Sequence, residues 1–238
     1  MAGKVKSIYK VIFFDLDHTL WDYKRNSKMT LEGLYHKHLN VNNRFDYFYS
    51  RFDTINEHLW NLYHQGKINR DDIRVKRFRT LLGEMGIKND LLAKTISEEY
   101  LMTCPLQPHL MPGAREVLEE LRNNYKLYVI TNGFEDIQYI KIRSAGISHF
   151  FDQVITSDGV GYKKPAPEIF QHALQLAGVD HREALMIGDN LETDIKGANN
   201  ANVDTVFFNP DKTPHEVFTK YEIEHLSEIF KILNTSTG

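Results

Sequence analysis

The sequence contains a single cysteine, Cys104, among its 238 residues. One cysteine cannot form an internal disulfide or supply a cysteine-based zinc site, and it fits a reducing compartment. Neither sign of charge dominates, since 29 basic and 32 acidic residues leave a net charge of −3. This balance gives no reason to expect binding to nucleic acid or to an anionic membrane surface.

Long apolar runs are also missing. The apolar run in the basic N-terminal stretch MAGKVKSIYKVIFFDLD is too short for a signal peptide or a membrane span, so we expect a cytoplasmic protein. There is no internal repeat and no low-complexity segment. With 42% hydrophobic and 26% charged residues, the composition is that of an ordinary globular protein, and the length fits a core domain that carries a smaller one.

Five short apolar runs, each ending at polar or glycine residues, predict β-strands. They are KVIFF before Asp15, KLYVI before Thr131, FDQVI before Thr156, ALMI before Gly188 and VDTVFF before Asn209. Helical spacing lies between them, in GAREVLEELRNN, in APEIFQHALQLAG and more weakly in NLETDIKGANNA. Alternating strands and helices of this length predict an α/β fold with a Rossmann-like parallel sheet that has helices on both faces.

A stretch without strand candidates, from about residue 24 to residue 103, interrupts this pattern after the first strand. Its clearest predicted helix ends at Gly66 and has apolar residues at intervals of three or four positions, namely Phe48, Phe52, Ile55, Leu59 and Leu62. CPLQPHLMPG, with three prolines, is typical of a return linker. We therefore predict a core domain of residues 1–17 and 106–238 and an inserted all-helical domain of residues 18–105.

Polar side chains follow several of the predicted strands. Because ligands bind at the carboxyl ends of the strands in open α/β sheets, these residues should meet at one edge of the sheet. They are Asp15, Asp17, Thr131, Asn132, Lys164, Asp189 and Asp194, together with Gly133, which offers its backbone amide. Crowded carboxylates need a cation, and an all-oxygen site suits Mg²⁺ better than zinc. Together with a hydroxyl, amides and a lysine, such a site is suited to phosphoryl transfer.

Four of these segments, DLDHTL, TNG, KKP and GDNLETD, occur in the order and spacing of the four motifs of the haloacid dehalogenase-like phosphohydrolases. The chain resembles that superfamily over nearly its whole length, and the helical block resembles the superfamily's small α-helical cap. TNGFEDIQYIKIRSAGISHFFDQVITSDGVGYKKPAPEIF is most similar to the branch that hydrolyses nucleoside 5′-monophosphates, pyrimidine ones in particular.

The resemblance implies roles for the carboxylates. Asp15 would be the nucleophile that forms an aspartyl-phosphate intermediate, and Asp17 would be the general acid and base. Mg²⁺ would be bound by the carboxylate of Asp15, the backbone carbonyl of Asp17 and the carboxylate of Asp189. Asp194 would support the site indirectly, as a partner of the lysine or of a metal-bound water.

The resemblance also implies a phosphate-binding set, in which Thr131, Asn132 and the amide of Gly133 hold the phosphoryl group and Lys164 steadies both the nucleophile and the phosphate. His18 stands where the superfamily often has glycine, and no catalytic role is assigned to it. Trp21, Tyr23 and Tyr47 lie outside the helical stripes and are candidates for stacking on a nucleobase.

The expected activity is Mg²⁺-dependent hydrolysis of a small phosphorylated metabolite, with the cap closing over substrate and excluding water. The leaving group is left open, because nucleotides, sugar phosphates and phosphoglycolate all fit the core motifs. A phosphomutase, a dehalogenase and an inactive regulatory binder are the alternatives. Members that act as dehalogenases lack an acid at the position of Asp17, and a pure binder would not need the nucleophile. No sustained heptad assigns an oligomeric state.

Overall fold

A computed structural model describes residues 7–39 and 44–235. It divides into two compact units, one formed by the chain up to Tyr23 and from Pro108 onward, the other by Lys24–Gln107. The sequence placed these boundaries after residues 17 and 105. Among the described residues, no helix is both long and apolar enough to cross a membrane.

The first unit is built on a six-stranded sheet in which every neighbouring pair is parallel, in the order β3-β2-β1-β4-β5-β6. Its strands are β1 (Val11–Phe14), β2 (Lys126–Thr131), β3 (Gln153–Thr156), β4 (Ala184–Gly188), β5 (Asp204–Phe208) and β6 (Tyr221–Ile223). The fold class predicted from the sequence is confirmed. Strand β6, at the edge of the sheet, was not predicted.

The helices are numbered along the chain. They are α1 (Tyr23–His38), α2 (Phe45–His64), α3 (Arg70–Glu84), α4 (Asp90–Thr103), α5 (Ala114–Leu121), α6 (Glu135–Ser144), α7 (Ser157–Val160), α8 (Pro167–Ala177), α9 (Lys196–Asn200) and α10 (Ile229–Thr235). In the first unit, Ile169, Phe170 and Ala173 of α8 are buried against residues of the central strands, such as Val11. Helix α8 ends at Gly178, whose φ of 68° is the left-handed conformation that glycine adopts without strain.

The second unit is all-helical in its described residues and has an aromatic core. Phe48, Phe52, Ile55 and Leu59 of α2 are buried as predicted, but Leu62 is only partly buried and Tyr63 takes the next inward position. The core also buries a guanidinium group. Arg77 donates to Asn56 at 2.9 Å and lies 4.6 Å from the ring centroid of Tyr100. Paired in this way, the cation is tolerated in an apolar surrounding.

Candidate active site

The central position of β1 explains why the polar residues of separate motifs come together. β1 pairs with β2 on one side and with β4 on the other, and the amide of Asp15 continues the ladder by donating to the carbonyl of Ile187 at 2.9 Å. Thr131 at the end of β2 and Asp189 after β4 therefore lie at the same edge of the sheet as Asp15.

Lys164 is the centre of this group and is almost fully buried, with 1% of its surface exposed. Its ammonium donates to Asp15 Oδ1 at 2.5 Å and to the carbonyl of Ile130 at 2.7 Å, and it pairs with Asp194 Oδ1 at 2.6 Å. These three partners use all three N–H donors of the lysine. Burial favours the neutral amine, but the charges of Asp15 and Asp194 outweigh it and raise the pKa of Lys164 above its usual value.

Three carboxylates surround that one cation. Oxygen atoms of Asp15, Asp189 and Asp194 all lie within 4.8 Å of one another. Burial raises the pKa of Asp15 to about 7; Lys164 opposes this rise and the charge of Asp194 adds to it. The pKa of Asp189 is raised well above its usual value, first by burial and then by the charges of Asp15 and Asp194, against the hydrogen bond that Thr19 donates at 2.9 Å. The residues are thus a set of hard oxygen donors that resist ionisation beside one another unless a further positive charge is present, which fits Mg²⁺.

The sequence after β4 shapes this acidic cluster locally. Asn190 caps the following turn, since its side chain accepts from the amides of Glu192 and Thr193 at 3.0 Å each. The backbone N–H of Asn190 donates to Asp194 Oδ2 at 3.1 Å, which fixes that carboxylate beside the end of β4. A side chain on Gly188 would collide with Asp194, so glycine is needed there for close packing.

Asn132 anchors the loop that carries Lys164. Its side chain accepts from the amide of Lys164 at 2.8 Å and donates to the carbonyl of Lys164 at 2.9 Å. The amide of Gly133 in turn donates to Thr131 Oγ1 at 3.0 Å. The structure therefore shows a positioning contact for the side chain of Asn132. The direct phosphate contacts assigned to Asn132 and Gly133 stay predictions.

The hydroxyl of Thr131 is oriented by two hydrogen bonds that it accepts. One comes from Gly133 and the other from Gln138 Nε2, at 2.7 Å. A hydroxyl oxygen has two acceptor positions and one donor, so both acceptor positions are filled and the O–H is left to donate. That is the arrangement needed to bind a phosphoryl oxygen.

Asp17 is bound by two side chains of α6. Lys141 Nζ donates to both of its carboxylate oxygens, at 2.6 and 2.8 Å, and Gln138 Nε2 donates to Oδ2 at 2.9 Å. Burial would raise the pKa of Asp17, but the charge of Lys141 and these hydrogen bonds outweigh burial and lower it. The second predicted carboxylate is therefore ionised in this arrangement, in contrast to Asp15.

Gln138 and Lys141 were not singled out from the sequence, although a signal was present. The buried face of α6 is formed by Gln138, Lys141 and Ile142, with Ala145 just beyond its end. Two polar residues thus occupy positions i and i+3 of an inward-facing stripe, directly after a motif that ends a strand. Such residues are seldom buried without a partner.

The aromatic residues beside Asp17 correct one expectation. Trp21 is fully buried, and the ammonium of Lys141 lies 4.5 Å from its ring centroid. Trp21 is therefore not available to stack on a nucleobase. His18 has a φ of 68° and its ring lies 4.9 Å from that of Tyr23. The left-handed backbone explains why glycine suits this position in similar sequences.

Comparison with known proteins gives a consistent set of matches. The family model of haloacid dehalogenase-like hydrolases matches residues 9–202. The putative hydrolase YfnB of Bacillus subtilis is 31% identical over 95% of this chain and 96% of its own. A crystal structure of YfnB bound to magnesium superposes with a TM-score of 0.86, over 95% of this chain and 99% of that one. The pyrimidine 5′-nucleotidase YjjG of Escherichia coli is 30% identical over 93% of this chain and 96% of its own. The glyceraldehyde 3-phosphate phosphatase of Pyrococcus abyssi is 35% identical over 96% of this chain and 95% of its own.

Proposed function

Because the chain belongs to the haloacid dehalogenase-like hydrolases, we propose that it is a Mg²⁺-dependent phosphomonoester hydrolase for small phosphorylated metabolites, acting through an aspartyl-phosphate intermediate. The observation that carries the proposal is the charge of the buried cluster. The carboxylates of Asp15 and Asp194 pair with the single ammonium of Lys164, and an oxygen of Asp189 lies within 4.8 Å of oxygens of both. If all three are ionised, two negative charges remain, which is what a divalent cation neutralises.

The residues that would hold the ion are the carboxylates of Asp15 and Asp189 and the backbone carbonyl of Asp17. Asp194 would stay with Lys164, to which it is already bound at 2.6 Å. When bound, Mg²⁺ supplies charge neutralisation for the phosphoryl oxygens. Thr19 supports the ligand Asp189 through its hydrogen bond, as residues behind metal ligands commonly do.

The chain's own residues would carry the two chemical steps. Asp17, which is ionised in the arrangement described, must first take up a proton. An oxygen of Asp15 then attacks phosphorus, the ester bond breaks, and the leaving alkoxide takes that proton from Asp17. Asp17, now ionised, removes a proton from water, which attacks the phosphorus of the intermediate and restores the carboxylate of Asp15. Lys164 keeps the nucleophile in place, and the free O–H of Thr131 donates to a phosphoryl oxygen. The presence of Asp17 favours phosphate chemistry over displacement of halide.

For the substrate, we propose nucleoside 5′-monophosphates, with pyrimidine nucleotides preferred. The segment after β2 and the similarity to a pyrimidine 5′-nucleotidase support this class. Small sugar phosphates are the second candidate, because a relative named as a glyceraldehyde 3-phosphate phosphatase is similar over as much of the chain. The role of the helical unit as a selective cap is part of the same proposal.

The test is phosphate release from a panel of nucleotides, sugar phosphates and phosphoglycolate, with Mg²⁺ or with EDTA. The variants are Asp15→Asn and, as a control, Asp211→Asn at an exposed site. We expect metal-dependent release that Asp15→Asn abolishes and Asp211→Asn leaves unchanged. Folded protein that releases no phosphate in the presence of Mg²⁺ would refute the proposal. Transfer of phosphate to a second hydroxyl, seen by phosphorus NMR, would instead identify a mutase.

A further inference from the structure

We infer that Gln138 and Lys141, one turn apart on α6, are positioning residues that fix the carboxylate of Asp17 for its role as acid and base. The inference rests on the proposed function and extends it to two residues outside the motifs. It assigns them no contact with substrate.

Lys141 is placed for this role by partners on two sides. Its ammonium donates to both oxygens of Asp17, at 2.6 and 2.8 Å, and lies over the rings of Trp21 and Tyr23 at 4.5 and 5.9 Å. The side chain of Lys141 is 8% exposed and that of Asp17 is 25% exposed, so solvent reaches the pair from the Asp17 side only in part. A carboxylate held at both oxygens by one buried cation has little freedom to rotate.

Gln138 links Asp17 to the phosphate-binding hydroxyl. Its Nε2 donates one hydrogen to Asp17 Oδ2 at 2.9 Å and the other to Thr131 Oγ1 at 2.7 Å. The residue is fully buried, and the absence of a side chain on Gly133 provides the space that it occupies. The amide group of Gln138 thereby sets the distance between Asp17, the acid and base, and Thr131, which would hold the phosphate.

A purely structural role does not account well for this pair. An apolar residue at either position would complete the inward face of α6 without the cost of burying an amide and an ammonium group. Here the amide of Gln138 and the ammonium of Lys141 donate hydrogen bonds to the carboxylate of Asp17, and Gln138 also donates to the hydroxyl of Thr131. Both acceptors would act in the reaction. Precise placement of reacting groups is worth large factors in rate, and supporting residues provide it.

The reaction offers a readout that stability alone would not change. An alkoxide leaving group needs a proton from Asp17, whereas p-nitrophenolate is stable enough to leave without one. A misplaced Asp17 should therefore slow hydrolysis of alkyl phosphates much more than hydrolysis of p-nitrophenyl phosphate. General acid catalysis contributes about 10²- to 10⁴-fold, so losing part of it is measurable.

The experiment compares Lys141→Met with the wild type on p-nitrophenyl phosphate and on a primary alkyl phosphate that the wild type hydrolyses. We expect kcat/KM for the alkyl ester to fall about tenfold or more relative to kcat/KM for the aryl ester, with partial recovery in Lys141→Arg. The ratio is taken from kcat/KM because this constant reports transfer to Asp15, whereas kcat also includes hydrolysis of the intermediate that both esters share. Arg143→Met, which removes an exposed cation from the same helix, should leave the ratio unchanged. Lys141→Gln serves as the neutral variant if the methionine variant does not fold.

Gln138→Leu provides an independent arm. Because Gln138 also orients Thr131, this variant should lower the alkyl-to-aryl ratio and in addition weaken inhibition by inorganic phosphate, whereas Lys141→Met should change only the ratio. Equal losses in kcat/KM on both esters, or a faster alkyl reaction in Lys141→Met, would overturn the positioning role while the phosphatase proposal stands. A wild type that hydrolyses neither ester would overturn the proposed function itself.

Discussion

Raising the pH from 5 to 7 without divalent cations should destabilise the sheet-containing unit. The reason is the crowding of Asp15 and Asp189, since burial brings the pKa of Asp15 to about 7 and raises that of Asp189 well above its usual value. In the unfolded chain both carboxyls have a pKa near 3.8. The folded state therefore binds more protons than the unfolded state in this range, and the free energy of unfolding falls as the pH rises.

The size of the effect follows from the pKa of Asp15. One pH unit of difference between folded and unfolded pKa corresponds to about 1.4 kcal/mol, so Asp15 alone accounts for at most about 3 kcal/mol between pH 5 and pH 7. Asp17 does not contribute to the slope, because its lowered pKa leaves it ionised in both states. Lys164, whose pKa is raised, titrates well above this range.

The assay is urea unfolding followed by tryptophan fluorescence in the Trp60→Phe variant, so that Trp21 alone reports on the first unit. Asp15→Asn should lessen the pH dependence, because it removes one of the two proton-binding carboxyls and also the charge that helps to raise the pKa of Asp189. Mg²⁺ should also flatten it and add stability, by about 2.7 kcal/mol at a hundred times its dissociation constant. A free energy of unfolding that stays level or rises between pH 5 and pH 7 would refute the reasoning.

Three further substitutions test other parts of the structure. Thr19→Val removes the hydrogen bond to Asp189 and should weaken Mg²⁺ binding about tenfold or more in calorimetry; unchanged affinity would contradict a supporting role. Gly133→Ala places a methyl group against Gln138 and should lower kcat about 10- to 100-fold with an unchanged circular dichroism spectrum, whereas full activity would show that this contact does not matter. Phe52→Ala empties the aromatic core of the helical unit and should cost about 3–5 kcal/mol in urea unfolding; a loss below about 1 kcal/mol would contradict the packing described.

The strands were predictable where they are buried. β1, β2 and β4 lie inside the sheet, and each contains an uninterrupted run of four apolar residues, so these runs stand out in the sequence. β6 has the sequence Tyr-Glu-Ile at the sheet edge, and three residues with one charge give no pattern. In α2, Leu62 and Tyr63 lie three and four residues after Leu59, and helical spacing alone does not decide which of them faces inward.

The site was predictable to the extent that it follows from the ends of strands. The rule that polar residues meet at the carboxyl edge of the sheet brought Asp15, Thr131, Lys164 and Asp189 into one place. It gave no information on α6, because a lysine in a helix usually lies on the solvated face. Only the tertiary arrangement places Lys141 on Asp17.

The most direct test of the central claim is to trap the covalent intermediate on Asp15. Substrate and Mg²⁺ would be mixed with the enzyme, the reaction quenched with borohydride, which reduces an acyl phosphate to an alcohol, and the peptide Val11–Lys24 analysed by mass spectrometry. The account predicts conversion of Asp15 to homoserine, dependent on substrate and absent in Asp15→Asn. Turnover accompanied by conversion of Asp17 instead, or by no conversion of any aspartate, would contradict it.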